Sequence, residues 1–210
     1  MSFELPQLYP LTDAALSGLS HAEQVERLID GGATLIQLRE KDSSPMEFYS
    51  QAKAALTVAR QRGVRIIIND RVDLALALRA DGVHLGQDDL PPDAARRLLG
   101  ENAIIGLSTH NVEQARQAVN CPVTYLAIGP VFSTSTKRDT ASEVGLEGIR
   151  AVRRAVGTMP IVAIGGITEG NARDVIDAGA DAVAVIRALL SRPEQTVMRT
   201  RLMFQTLTTA

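Results

Sequence analysis

RIIINDRVDLALALRADGVHLGQDD, running from Arg65 to Asp89, decides the fold. It opens on an unbroken apolar run at residues 65–68 and reaches a second at Gly82–Leu85. Neither run alternates with polar residues, as expected of parallel strands covered on both faces. Between them, residues 73–78 carry the spacing of a helix. Each run is followed by ligand-capable residues, Asn69-Asp70 after the first and Asp88-Asp89 after the second. Strand, ligand-capable end, helix and parallel strand make the unit from which a barrel gathers one site out of many strand ends.

The same unit recurs in both directions. Strand-like runs lie at residues 8–11, 35–38, 104–107, 123–128, 161–164 and 182–186, which brings the count to eight. Helical patterns fill the intervals at 22–29, 45–62, 92–99, 112–119, 145–156 and 171–178, and a last one at 194–207 follows the eighth run. The first places Val25, Leu28 and Ile29 on one face, and Ser44-Pro45 opens the second with a cap and a first-turn proline. Gly31-Gly32, Gly63, Gly100, Gly157 and Gly179 fall where helices should stop. This order predicts an α/β fold, a single (β/α)8 TIM barrel over residues 1–210, with about 26 residues per unit. The one long connection, residues 131–144, is rich in Ser and Thr and reads as a functional loop that closes over the site.

Composition narrows the function. The net charge of −2 provides no field for nucleic acid or anionic lipid. Three Tyr, four Phe and no Trp do not make a stacking platform for single strands. No apolar run approaches the roughly 18 residues of a membrane span, and the N-terminus has no secretory pattern. The single cysteine, Cys121, excludes a disulfide framework and, beside Pro122, reads as a buried structural thiol. A cytoplasmic protein acting on small molecules is the expectation, with neither nucleic acid nor membrane as partner and homodimerisation left open. Zinc spacing, a Ser-His-acid set, GxGxxG and the P-loop pattern are all missing.

Candidate ligands sit at the strand ends. Alternation along Gln37-Leu38-Arg39-Glu40-Lys41 puts Gln37, Arg39 and Lys41 on one side, where two cations and an amide suit a phosphorylated ligand. A solvated mixed-charge loop explains the segment equally well. Asn69-Asp70 and Asp88-Asp89, taken singly, read as helix caps. Together they offer one carboxylate from each of two adjacent strand ends, which is the usual protein share of a Mg²⁺ site. Asp70 and Asp89 are the inward candidates, and Asp88 is an outer partner or a cap. Gly165-Gly166 and Ile186-Arg187 mark a phosphate subsite of the kind barrels build after strands seven and eight. Thr134, Ser135 and Thr136 beside Lys137 can close over an anion, and Ser108 is either a ligand hydroxyl or a cap. His84 reads as a hydrogen-bonded core histidine, His110 as a cap or mouth residue, and His21 as a surface residue.

Seven motifs in order, QLREK, IIINDR, GVHLGQDD, GLSTH, GPVFSTSTK, VAIGGI and VAVIRA, closely resemble the thiamine-phosphate synthase family over essentially the whole chain. The resemblance implies a transferase that joins a pyrimidine diphosphate to a thiazole monophosphate with release of diphosphate. It implies that Gln37, Leu38, Arg39, Glu40, Lys41, Asn69, Ser108 and Lys137 contact the pyrimidine diphosphate, with Arg39, Lys41 and Lys137 serving catalysis. It further implies that Asp70 and Asp89 bind Mg²⁺ and that Thr134, Ser135, Thr136, Gly166, Ile186 and Arg187 hold the thiazole phosphate. Two positions depart from the family pattern: Arg187 stands where Ser is frequent and Arg138 where Pro is frequent. A thiazole tautomerase or a non-catalytic barrel would need neither the carboxylate pair nor the diphosphate cations, and both sets are retained here.

Overall fold

Eight parallel strands form one sheet in the computed structural model, which describes residues 3–134 and 142–208. They are β1 (Leu8–Pro10), β2 (Leu35–Leu38), β3 (Arg65–Asn69), β4 (Gly82–Leu85), β5 (Ile104–Thr109), β6 (Tyr125–Ile128), β7 (Ile161–Ile164) and β8 (Ala182–Val185). The order β1-β8-β7-β6-β5-β4-β3-β2 leaves β1 and β2 at the seam. A parallel bridge between Leu11 and Gln37, with the Thr12 N–H donating to the Gln37 carbonyl at 2.9 Å, closes it. Helices alternate with the strands, so the expected (β/α)8 TIM barrel is the observed architecture. Among the described residues no helix is long and apolar enough to cross a membrane.

Period-two geometry sorts the strand residues into two cores. One set, including Leu38, Ile66, Ile68, Val83 and Leu126, packs outward against helix residues such as Val25, Leu28 and Leu56. The other, including Tyr9, Leu35, Ile67, Tyr125 and Val162, fills the barrel interior. Each fully buried aliphatic side chain contributes on the order of 1.5–3 kcal/mol relative to exposure. Two glycines make the interior possible. A Cβ on Gly106 would lie 2.1 Å from Cζ of Tyr125, and one on Gly82 would lie 1.8 Å from the Ile104 carbonyl oxygen.

The two ends of the barrel are built differently. At the N-terminal end of the strands, arginines from the helices tie down the αβ turns. Arg96 donates to the carbonyls of Gly100, Glu101, Ala103 and Pro122, and Arg153 to those of Gly157, Met159 and Gly179. At the other end the polar strand-end residues converge. Capping boxes at Ser20/Glu23 and Ser44/Glu47 open the helices His21–Asp30 and Pro45–Gln61. Cys121 departs from expectation. β6 begins only at Tyr125, so Cys121 sits half-buried in the preceding turn, where burial and then the charge of Asp93 push its thiol pKa up.

Candidate active site

A cavity of about 900 Å³ opens at the C-terminal ends of the strands, and all eight strands contribute to its walls. That volume is at the upper end of the roughly 300–1,000 Å³ usual for small-molecule sites.

The end of β2 supplies its cationic side. Gln37 is buried and donates from Nε2 to the Tyr9 hydroxyl at 3.0 Å, while its Oε1 meets no hydrogen-bond partner. Arg39 faces Asp13 at 3.5 Å and Lys41 pairs with Asp70. Gln37, Arg39 and Lys41 all line the cavity. Leu38 and Glu40 do not. Leu38 is wholly buried in the outer core. Glu40 turns back on its own loop, its Oε1 accepting the N–H groups of Lys41 and Asp42 at 2.8 and 2.9 Å.

The ends of β3 and β4 supply the anionic side. The helix Val72–Leu78 follows Arg71 without a side-chain cap, and Pro92–Leu99 follows Pro91 in the same way. Neither Asn69-Asp70 nor Asp88-Asp89 therefore serves as a cap. Asp70 takes a left-handed conformation, φ 62°, which an aspartate tolerates better than most residues. Its N–H donates to the His84 carbonyl at 2.7 Å. Asp89 accepts the Gly86 N–H at 2.7 Å. Burial raises the Asp89 pKa, and the neighbouring Asp70 carboxylate raises it further. Two carboxylates pressed together beside a lysine form a site short of positive charge. Among the described residues no group of three or more His, Cys, Asp or Glu side chains gathers into a metal centre. A two-carboxylate set completed by water and phosphate oxygen is nonetheless what Mg²⁺ accepts, so these residues fit that ion. Asn69, also buried, leaves its Nδ2 without a partner.

A hydrogen-bonded chain crosses the barrel floor beneath them. Gln37 donates to Tyr9, whose hydroxyl meets that of Tyr125 at 3.0 Å. Tyr125 lies 2.9 Å from Nδ1 of His84, and Nε2 of His84 lies 2.9 Å from the Ser108 hydroxyl. His84 also stacks on the Tyr125 ring at 5.6 Å. Burial raises the pKa of both tyrosines far above the usual phenol value, so both phenols stay neutral. Ser108 is not a cap, because Asn111 caps the helix Val112–Ala118.

The far side is built on glycine. Gly165 and Gly166 have φ of 105° and 65°. A Cβ on Gly165 would sit 2.7 Å from Pro130 Cα, and one on Gly166 would sit 2.6 Å from the Ser133 carbonyl oxygen. The pair lets residues 130–133 lie across the β7 turn. Thr134 lines the cavity, while Ser135, Thr136 and Lys137 lie outside the described residues. Ile186 and Arg187 line it at the start of a short helix, Arg187–Leu190, that carries no side-chain cap.

Residues 8–189, which include every described residue of this cavity wall except Ser191, match a family model described as thiamine monophosphate synthase. The chain belongs to that family. A thiamine-phosphate synthase from Chloroflexus aurantiacus is 50% identical over 191 residues, covering 90% of this chain and 88% of its own. One from Clostridium novyi is 44% identical over 189 residues, covering 90% and 92%. The solved structure of a thiamine phosphate pyrophosphorylase from Pyrococcus furiosus superposes with a TM-score of 0.86 at 37% identity, covering 96% of this chain and 95% of its own. The family is one of transferases, and the chain is an enzyme of that class.

Set against this family member's site, three histidines need revision or refinement. His84 has its hydrogen bonds satisfied as expected, but it also lines the cavity. The period-two alternation that turns Gln37 inward would have placed it there. His110 lines the mouth, its Nδ1 2.7 Å from the Gly129 carbonyl oxygen. His21 is not a surface residue: it is completely buried between Thr12 and Glu40. Its spacing, on the same helix face as Val25 and Leu28, was the available signal.

Proposed function

We propose that this enzyme condenses 4-amino-5-hydroxymethyl-2-methylpyrimidine diphosphate with 4-methyl-5-(2-phosphoethyl)thiazole, giving thiamine phosphate and diphosphate. The observation that carries the proposal is the Asp70–Asp89 carboxylate pair set beside Lys41 and Arg39 in one cavity. A tautomerase would have no use for that arrangement. Asp70 and Asp89 would hold Mg²⁺, which when bound supplies positive charge to the departing diphosphate. Arg39 and Lys41 bind the diphosphate oxygens, Arg39 through its planar fork and Lys41 as a point charge. The free Oε1 of Gln37 and Nδ2 of Asn69 offer the pyrimidine diphosphate one acceptor and one donor. Gly166, Thr134, Ile186 and Arg187 receive the thiazole phosphate opposite, and the family resemblance assigns Ser135 and Thr136 to the same phosphate and Lys137 to the diphosphate.

The chemistry then needs charge and shape more than acid–base groups. The C–O bond to diphosphate breaks and its electron pair leaves with the diphosphate. The exocyclic carbon is left as a benzylic-type cation, stabilised by donation from the 4-amino group. The lone pair of the thiazole nitrogen closes the new C–N bond, and the positive charge passes to the thiazolium. No proton moves at the reacting atoms. Arg39, Lys41 and Lys137 stabilise the charge that builds on the leaving group, and exclusion of water from the loaded site protects the cation from trapping. Purified protein incubated with both substrates should form thiamine phosphate with Mg²⁺ and lose the activity on chelation. Product formation that is insensitive to chelation would refute the metal role, and no product under either condition would refute the reaction.

A further inference from the structure

The turn that presents Arg39 and Lys41 is held from behind by a histidine that nothing in the proposed chemistry uses. His21 opens the helix His21–Asp30, is completely buried, and lies with its ring 5.7 Å from that of Phe48. Its Nδ1 is 2.7 Å from the Thr12 hydroxyl and its Nε2 is 3.4 Å from Oε2 of Glu40. Both partners grip the backbone of the turn. Thr12 Oγ1 accepts the Arg39 N–H at 3.2 Å, and Oε1 of Glu40 accepts those of Lys41 and Asp42. Burial lowers the imidazole pKa against the opposing pull of Glu40 and Asp13, which keeps the ring neutral near pH 7. A neutral ring fits both contacts, with the Nε2–H donating to Glu40 and the Thr12 hydroxyl giving its one proton to Nδ1 at 2.7 Å in preference to the Gln37 carbonyl at 3.4 Å.

One turn along the same face, buried Gln24 accepts the Asp13 N–H at 2.9 Å and donates to the Leu19 carbonyl at 2.8 Å. Asp13 in turn faces Arg39. Ordinary fold requirements do not call for these polar residues. Ser20 and Glu23 already cap the helix, and a buried apolar side chain at position 21 would serve the core. A buried polar group is retained without cost only when it is fully hydrogen-bonded, as here.

We propose that His21 is a positioning residue. Through Thr12 and Glu40 it fixes the 39–42 turn, so that Arg39 and Lys41 stand preset for a diphosphate group. This rests on the diphosphate site proposed above, and inorganic pyrophosphate with Mg²⁺ is the probe that separates the two ideas. His21→Asn keeps a polar atom near the Nδ1 position and gives up the contact with Glu40. His21→Gln carries an amide that reaches Glu40. Calorimetry on the full chain should show His21→Asn binding pyrophosphate about tenfold more weakly, the loss of one charge-assisted hydrogen bond. The KM for the pyrimidine diphosphate should rise by a similar factor, with that for the thiazole phosphate held within about twofold. His21→Gln should recover most of the affinity. Phe48→Leu, which loosens the same core, should lower the melting temperature without that split. Glu40→Ala gives the same readout on a partly exposed loop should His21→Asn fail to fold. Pyrophosphate affinity unchanged in the folded variants, or both KM values rising together, overturns the positioning role. Wild-type protein that does not bind pyrophosphate at all overturns the diphosphate site itself, and the inference with it.

Discussion

Tyr125→Phe removes one oxygen atom from the middle of the barrel floor and tests whether the chain from Gln37 to Ser108 acts as a unit. That oxygen is fully buried and makes two contacts, 3.0 Å to the Tyr9 hydroxyl and 2.9 Å to Nδ1 of His84. Each buried hydrogen bond is worth about 0.5–1.5 kcal/mol net, and groups deprived of a partner add their desolvation cost. The ring itself stays, packed edge-on against Tyr9 at 5.8 Å, so little apolar contact is lost. The expected cost is therefore roughly 2–3 kcal/mol. For a chain of this length each kcal/mol lowers the melting temperature by about 2–4 °C, so the drop should be roughly 4–12 °C. Denaturant melts of Tyr125→Phe, Tyr9→Phe and the double variant form a cycle whose coupling energy should be about 1 kcal/mol. The KM for the pyrimidine diphosphate should rise as well, because Gln37 and Ser108 are the two ends of the chain. A loss under about 0.5 kcal/mol, or strict additivity in the cycle, would show that the hydroxyls act independently.

Gly166→Ala should both destabilise the fold and impair the thiazole side. The new Cβ would sit 2.6 Å from the Ser133 carbonyl oxygen at a φ of 65°, a strain of about 1–3 kcal/mol. Its KM for the thiazole phosphate should rise more than that for the pyrimidine diphosphate, and steady-state kinetics with unchanged values would contradict the placement. The lowered His21 pKa sets the sign of a pH effect. The unfolded chain takes up this proton first, so the stability His21 contributes is fully present above about pH 6.5 and is lost as pH falls through the folded-state value. The slope cannot exceed about 1.4 kcal/mol per pH unit for one proton, and His21→Gln should flatten it in melts between pH 5 and 7.5.

The strands were legible because a parallel sheet covered on both faces writes itself as unbroken apolar runs, and residues 65–68 and 82–85 show this plainly. Strand ends were less so. β5 continues to Thr109 because Ser108 and Thr109 pair with Ala127 and Ile128, a tertiary fact with no local signature. The helices Ala14–Ser17 and Arg187–Leu190 are too short to display a period. In the site, the strand-end placement of Arg39, Lys41, Asp70 and Asp89 was visible, yet the choice between cap and ligand was not. Arg71 and Pro91, standing at the helix starts without capping bonds, remove the cap reading. The floor of the barrel was hidden for a different reason: Tyr9 and Tyr125 are 116 residues apart, and their hydrogen bond exists only once the barrel closes. Leu38 and Glu40 show what the motif alone left unread about side-chain direction. They belong to QLREK, but one packs into the core and the other stabilises its own turn.

If Asp70 and Asp89 share a divalent ion against the diphosphate, a crystal structure with Mg²⁺ and inorganic pyrophosphate will show it. The expected density is one ion with an oxygen from each carboxylate at about 2.1 Å and water and pyrophosphate oxygens completing its shell, with Arg39 and Lys41 on the pyrophosphate. An ion bound elsewhere, or pyrophosphate seated away from both carboxylates, would contradict it.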